Sequence, residues 1–285
     1  MPVEVGATPE WRQRLAELGL GSLSELLNGG DVPRALAGQV EPLSKPGLGG
    51  RRRYRWTGRT PDGPRQLYVK CYSRPGLRAQ LDRIRRQHAR HSRAWWEYQC
   101  AIELSQVAIR VARPVAYVEE MRGRAERRSA LVLEAAPGDA FDRTWQRLLE
   151  VRSPLTRGRL RQDLVMRLGR FVAAFHSTGW CHRDLYLCHV FMDVSPDGTS
   201  APRFTLIDLG RAHRPKLRRL RWIIKDLSQL DSSARQAGLS RTDRLRFLLA
   251  YLGLQRGSRR VRWYARCIVR KADKILARLA RKGVA

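Results

Sequence analysis

Two aspartate motifs, set 24 positions apart, constrain the fold of this chain more than any other feature. The first, His182-Arg183-Asp184-Leu185, follows a segment with helical periodicity, and the second, Asp208-Leu209-Gly210, closes a short hydrophobic strand. Two short strands are predicted between them, at about 189–193 and 203–207, around a turn at 195–198. We expect this helix–loop–strand–turn–strand order to deliver both carboxylates to one cleft.

Both motifs have the form that protein kinases use, in which the catalytic loop reads H-R-D-L-x-x-x-N and the metal-binding turn reads D-F-G. Asp184 is the predicted catalytic base, Asp208 is the predicted Mg²⁺ ligand, and His189 stands where the asparagine is expected. Phosphoryl transfer needs one carboxylate to accept the proton of the acceptor hydroxyl and another to hold the metal. Alone, each aspartate is equally compatible with a cap or a turn. Their order and spacing together favour catalysis.

Upstream residues extend the same pattern. Lys70 lies in an alternating strand, QLYVKCY, and is the predicted phosphate anchor, with a solvated edge lysine as the alternative. Its predicted partner is Glu97 on the following helix, with Glu103 as the rival. Gly47 and Gly49 stand where a nucleotide-covering loop belongs, although the complete G-x-G-x-x-G is missing. The chain therefore carries candidates for most parts of a kinase site.

The predicted elements divide the chain into three parts. Residues 1–45 are predicted to form a helical extension, 46–136 a lobe of strands with one or two helices, and 137–285 a mainly helical lobe with an embedded hairpin. Pro137-Gly138 is the predicted hinge. The expected fold class is α+β, a two-lobed protein-kinase-like fold with a small β-rich N-lobe and a larger helical C-lobe.

Three longer runs resemble one branch of the kinase superfamily, the bacterial lipopolysaccharide core kinases, which phosphorylate Kdo or heptose sugars of the inner core. The runs are HRDLYLCHVFMD, LIDLGRA and KDLSQLDSSA, and the resemblance covers about residues 46–255. It implies ATP and Mg²⁺ as cofactors and a sugar or glycolipid as acceptor. It also implies His189 as a metal ligand and backbone contacts to adenine at Glu134 and Ala136. The other positions it carries over are Lys70, Glu97, Asp184 and Asp208.

The segment after the second motif bears on the acceptor. Only 17 residues separate Asp208 from Asp226, and no A-P-E occurs among them, so there is little room for a peptide-docking platform. Asp226 is expected to anchor the catalytic loop from below. Other interpretations stay open: a kinase for another small hydroxyl compound or for a protein, or an inactive kinase scaffold that binds polyanions.

The charge balance points to anionic partners. Lys and Arg number 56 against 26 acidic residues, a formal net charge of +30, which recruits nucleic acid, anionic membranes or phosphorylated substrates. Nucleic acid is disfavoured because no recognised motif or aromatic-rich basic stretch occurs. Residues 259–282 predict an amphipathic helix that either lies on an anionic membrane or packs on the helical lobe.

Compartment signals are few. No stretch approaches the roughly 18 apolar residues of a membrane span, and the N-terminus lacks the pattern of a signal peptide. Five scattered cysteines are typical of a reducing compartment, and the pairs Cys181-His182 and Cys188-His189 match no familiar zinc spacing. A cytoplasmic enzyme, peripheral on the inner face of the cell membrane, is the expectation.

Overall fold

The fold is known from a computed structural model, which describes residues 3–17, 23–27, 40–43, 51–60, 63–195, 201–281 and 283. The chain divides into two units, one of Met1–Ala136 with Asp208–Gly210, and one of Pro137–Ile207 with Arg211–Ala285. The first unit is built on a six-stranded sheet, and the second is mainly helical. The predicted α+β class is confirmed.

The first unit contains an antiparallel sheet in the order β1-β5-β6-β4-β3-β2. Its strands are β1 Val3–Ala7, β2 Val40–Pro42, β3 Arg51–Thr60, β4 Gly63–Ser73, β5 Pro114–Arg122 and β6 Ala125–Glu134. Its helices are α1 Pro9–Glu17, α2 Leu77–Arg86 and α3 Arg93–Gln106, with a short 3-10 turn at Leu23–Leu27. On β3 the alternating Tyr54 and Trp56 are buried, which is the period-two signal of a strand with one face in a core.

The start of the chain corrects one expectation. In place of a helical extension, its described residues supply the two edge strands, since β1 pairs with β5 and β2 pairs with β3. Helix α1 begins at Pro9, with the Thr8 carbonyl accepting the Trp11 amide at 3.0 Å. Trp11 is buried in the same core as Tyr54 and Trp56. Edge strands are hard to predict from apolar residues, because backbone hydrogen bonds to one neighbouring strand can hold them while their side chains stay exposed.

The arginine-rich stretch before α3 is partly structural. Arg83 is almost fully buried, and its guanidinium donates to the carbonyls of His88 and His91 in the loop between α2 and α3. Burial lowers the pKa of Arg83 from its ordinary value. Ser92 then caps α3 by accepting the Trp95 amide at 3.1 Å. At least this arginine orders a loop and is not available to a polyanion.

The second unit is a helical assembly with a small sheet. Its helices are α4 Phe141–Glu150, α5 Gly158–Ser177, α6 Arg219–Gln236, α7 Arg241–Leu252 and α8 Arg259–Ala280. Its strands, in the order β7-β8-β9, are β7 Asp139–Ala140, β8 Val190–Asp193 and β9 Arg203–Leu206. The predicted hairpin is therefore present as β8 and β9. The periodic residues of α5 that face the core are Leu164, Leu168, Val172 and Phe175.

The last helix resolves an open alternative. The apolar stripe of α8 is buried at Val261, Tyr264, Ile268 and Ala272, and the helix packs on α6 and α7. The stripe is therefore part of the core, and it is not available for insertion into a bilayer. Among the described residues, no helix is both long enough and apolar enough to cross a membrane.

Candidate active site

A buried charge cluster forms in the first unit around Lys70. Strand β4 places Lys70 Nζ 2.7 Å from Glu97 Oε1 on α3 and 3.1 Å from Asp208 Oδ1. The Lys70 side chain is 11% exposed and that of Glu97 is 2% exposed, so this is an ion pair largely shielded from water. The expected approach of Lys70 and Glu97 is present, and the partner is Glu97, not Glu103.

A second cation, which sequence reasoning missed, completes the cluster. Arg53 on β3 lies directly across from Lys70 on β4, and its Nη2 is 3.3 Å from Asp208 Oδ2. Residues that face each other across antiparallel strands point to the same side of the sheet. The Asp208 carboxylate thus lies between an arginine and a lysine. Its φ of +60° is a left-handed conformation, which is uncommon outside glycine.

The electrostatics keep Lys70 charged. Burial by itself would lower the pKa of Lys70, but the carboxylates of Asp208 and Glu97 outweigh it and the pKa is raised above its ordinary value. Tyr72 donates its hydroxyl to Glu97 Oε2 at 3.4 Å, and burial raises the pKa of that phenol. The cluster therefore consists of an ammonium, a guanidinium and two carboxylates beside a neutral phenol.

Gly210 lies against this cluster. A Cβ at Gly210 would lie 2.9 Å from Glu97 Oε2, so a larger residue there would require the Glu97 carboxylate to shift. The Gly210 carbonyl accepts the side-chain amide of Gln87 at 2.7 Å. The glycine of the D-x-G motif thus lets the turn lie against the carboxylate that holds Lys70.

In the second unit, the catalytic loop is anchored by a buried carboxylate. Asp226 on α6 accepts the backbone amides of His182 at 2.7 Å and Arg183 at 2.8 Å, and it lies 3.3 Å from His176 Nε2. Burial would raise the pKa of Asp226, but the hydrogen bonds from His176 and the His182 amide hold it below its ordinary value. This is the anchoring role expected of Asp226.

The carboxylate of Asp184 is half-buried and faces polar groups of its own unit. Gln229 Nε2 donates to Asp184 Oδ1 at 3.4 Å, and Arg211 Nη1 lies 3.7 Å from the same oxygen. Neither residue was identified from the sequence. Both orient the oxygen of the predicted base.

Two more cations lie beneath the loop. Lys225 Nζ donates to the Arg183 carbonyl. Burial and the charge of Arg211 lower the pKa of Lys225 to about 8 and that of Arg183 to about 10. The surroundings of Asp184 therefore carry a dense positive charge that favours anionic ligands.

The ring of His189 is oriented by the backbone of the same loop. Its Nδ1 lies 2.7 Å from the Asp184 carbonyl oxygen, which only accepts, so Nδ1 carries a hydrogen. In the neutral ring this leaves the lone pair on Nε2, which is the tautomer that a metal-binding histidine needs.

The remaining predicted positions are placed as follows. Glu134 ends β6, its amide donates to the Arg113 carbonyl at 2.9 Å, and its side chain accepts the Trp11 indole at 3.0 Å. Ala136 follows at the end of the first unit. Contacts of these two residues with adenine stay a prediction. Gly47 and Gly49 lie outside the described residues.

Comparison with known proteins decides the family. A family model described as the lipopolysaccharide kinase (Kdo/WaaP) family matches residues 47–251. The chain belongs to this lipopolysaccharide kinase family. The resemblance stated from the sequence is confirmed, and so are the kinase-like fold and the phosphotransferase class.

This chain is similar to proteins named lipopolysaccharide core heptose(I) kinase WaaP. It is 33% identical over 194 residues to lipopolysaccharide core heptose(I) kinase WaaP of Pseudomonas aeruginosa, covering 66% of this chain and 70% of the relative. It is 33% identical over 132 residues to WaaP of Escherichia coli K12, covering 44% and 49%. A solved structure of WaaP in complex with acyl carrier protein matches with a TM-score of 0.66 and 28% identity, covering 95% of this chain and 98% of that one.

Proposed function

We propose that this kinase transfers the γ-phosphate of ATP to a heptose hydroxyl of the lipopolysaccharide inner core. The observation that carries the proposal is the cluster of Lys70, Glu97 and Asp208, which a kinase uses to hold a nucleotide and its metal. The heptose is suggested by the WaaP relatives. The short segment after Asp208 supports an acceptor smaller than a protein.

The cluster fits a metal–triphosphate ligand in charge and chemistry. Lys70 and Arg53 supply two cations side by side, and Asp208 supplies the hard oxygen ligand that Mg²⁺ prefers. Asp208 and His189 would hold the metal, which when bound neutralises charge on the phosphates. Arg53 and Lys70 both contact the Asp208 carboxylate. The two cations would pair with the phosphates of a bound nucleotide, and Glu97 would hold Lys70 in place.

Asp184 is the proposed catalytic base. It accepts the proton of the sugar hydroxyl as that oxygen bonds to the γ-phosphorus and the bond from phosphorus to the bridging oxygen of ADP breaks. Gln229 and Arg211 aim the carboxylate. Because Asp226 fixes the backbone beneath it, Asp184 needs little rearrangement before the reaction. Glu134 and Ala136 are the proposed backbone contacts of adenine, and Gly47 and Gly49 the proposed cover of the phosphates.

The test is transfer from labelled ATP to a panel of acceptors. The panel contains a heptose-bearing inner-core glycolipid, the same core ending in Kdo, a set of small hydroxyl compounds and a protein mixture. We expect Mg²⁺-dependent labelling of the heptose-bearing glycolipid. Preferred labelling of Kdo, of a small compound or of protein would replace the proposed acceptor, and no labelling of any acceptor would favour an inactive scaffold.

The solved relative also suggests a protein partner. We propose that an acyl carrier protein binds the second unit, which has a largely apolar cavity of about 530 Å³. Leu168, Leu227 and Ile268 are among its lining residues, with Arg241 and Arg244 also at the cavity. An acylated carrier should co-elute with the kinase and the unacylated carrier should bind more weakly. Equal binding of both forms would show that the carrier protein does not bind through the cavity.

The proposed acceptor is a membrane lipid, which fixes the proposed location. We place the kinase in the cytoplasm, peripheral on the inner face of the cell membrane, where ATP and a lipid-linked sugar are both accessible. Cell fractionation tests this location. Recovery of the kinase only in the soluble fraction, when the membranes contain its acceptor, would count against it.

A further inference from the structure

An exposed hexapeptide lies at the turn into α6, where Arg219 donates to the carbonyl of His176. All six residues of Lys216–Arg221, in the order K-L-R-R-L-R, are exposed, and we name this run the docking segment. Leu217 is 81% exposed and Leu220 is 43% exposed. Four cations thus surround two leucines that face water, and such exposure of large apolar groups among charges is typical of a binding surface.

The docking segment is held at both ends by the catalytic loop. Before it, Cys181 and His213 exchange backbone hydrogen bonds of 2.9 and 3.0 Å. After it, α6 carries Asp226, which anchors the amides of the same loop. Within it, Arg218 has a left-handed φ of +54° and forms the turn into α6. A ligand bound to the docking segment is therefore held at a fixed place relative to the loop that carries Asp184.

The chemistry of the docking segment selects its ligand. Leucines enter the boundary between headgroups and acyl chains, and neighbouring Lys and Arg meet the lipid phosphates, each cation contributing about fivefold in affinity at an anionic surface. Nucleic acid would meet the cations but leave both leucines in water, and the segment contains no aromatic residue on which a base could stack. The alternation of leucine and cation fits a lipid surface.

We propose that the docking segment binds the kinase to an anionic membrane surface and so presents a lipid-linked acceptor to Asp184. The inference rests on the proposed function for its acceptor, but binding itself needs neither ATP nor catalysis. Helix α8 is the internal comparison, because it also exposes two apolar residues among cations, Trp263 at 46% and Val269 at 42%. Its apolar stripe, however, is already buried in the core.

The experiment measures sedimentation of the full chain with vesicles, without nucleotide. Vesicles of phosphatidylcholine alone are compared with vesicles in which about one lipid in four is phosphatidylglycerol. The variants are Leu217→Asn with Leu220→Asn in the docking segment, and Trp263→Asn with Val269→Asn in α8. All four positions are exposed, so both double variants should fold, and thermal unfolding checks this.

We expect salt-sensitive binding to the anionic vesicles, at least about tenfold weaker binding by the docking-segment variant, and less than about twofold change in the α8 variant. Unchanged binding by the docking-segment variant, or an equal loss in the α8 variant, would overturn the proposal. So would wild-type binding that ignores the anionic lipid, or tighter binding to mixed-sequence RNA with the same dependence on the leucines. Vesicle binding that persists while the acceptor panel stays unlabelled would overturn the proposed function alone.

Discussion

Asp184 and Asp208, the predicted catalytic base and metal ligand, are held in place by different kinds of contact. Around Asp208 the contacts join charged side chains from two strands and a helix. Around Asp184 the loop is fixed through its backbone, because Asp226 binds two consecutive amides from α6. The first arrangement depends on ion pairs between side chains, and the second depends on hydrogen bonds to the backbone.

This difference implies a division of labour. The two cations of the Lys70 cluster are balanced by its two carboxylates. These internal ion pairs can be exchanged for ion pairs with a metal and a nucleotide, so the residues of the cluster should govern nucleotide and metal affinity. A loop fixed by a buried carboxylate is organised before any ligand arrives, so its residues should govern the rate of transfer and the stability of the fold. Four substitutions test whether the division holds.

The largest effect is expected from Asp208→Ala. Removing the proposed metal ligand should lower Mg²⁺-dependent transfer by at least about 10³-fold, since the phosphate charge is then no longer neutralised. Initial rates from labelled ATP measure the loss, and circular dichroism confirms folding. Asp163→Ala, which removes an exposed aspartate paired with Arg167, is the matched control. Turnover near the wild-type rate in folded Asp208→Ala protein would refute the metal role.

Asp184→Asn should separate rate from binding. The amide cannot accept the hydroxyl proton, so the maximal rate should fall by at least about 10²-fold while the dissociation constant for ATP stays nearly unchanged. Isothermal titration and steady-state kinetics on the same preparation give both quantities. If ATP affinity is lost and the maximal rate persists, Asp184 belongs to nucleotide binding and the comparison fails.

Asp226→Asn tests the anchoring of the loop through the pH dependence of the free energy of unfolding. The pKa of Asp226 is lowered in the folded state, so its stabilisation is present above the ordinary value of 3.8 and is lost as the pH falls through the folded value. The variant should be less stable at neutral pH by about 2 kcal/mol and should lose less stability on acidification. Urea unfolding at several pH values measures both effects. Parallel pH profiles for the two proteins would contradict the role.

The smallest effect is expected from Arg53→Met. Loss of the second cation should raise KM for ATP by about tenfold, the scale of one charged hydrogen bond, with little change in kcat. Arg55→Met on the same strand is the matched control, because Arg55 pairs with the exposed Glu41. If the two variants behave alike, Arg53 is only a surface charge and the cluster is smaller than proposed.

The sequence predicted what depends on local order. The spacing of Asp184, Asp208 and Asp226 is written along one stretch of chain, so the loop and its anchor were recognisable as motifs. Arg53 was not, because its position opposite Lys70 depends on the register of two strands, and four arginines within Arg51–Arg55 offer the same chemistry. Gln229 and Arg211 were missed for a similar reason, since polar residues near a motif are common.

The sequence also could not show which surface an amphipathic segment packs against. The stripe of α8 is equally suited to a core and to a membrane, and only the presence of α6 and α7 beside it decides the outcome. At the other end of the chain, β1 exposes Val3 and Val5 and is held by backbone bonds to β5. Neither outcome is encoded in the segment itself.

The turn Asp208–Gly210 has a consequence for the order in which the protein is made. It belongs to the first unit, yet Lys70 precedes Asp208 by 138 positions. On the ribosome, chains fold from the N-terminus as they emerge. Lys70 and Glu97 can meet early, but their cluster cannot be completed by Asp208 until about half of the second unit has been synthesised. A fragment ending at Ala136 would therefore carry the sheet without Asp208, the proposed metal ligand, so the charge cluster cannot be completed from the first 136 residues alone.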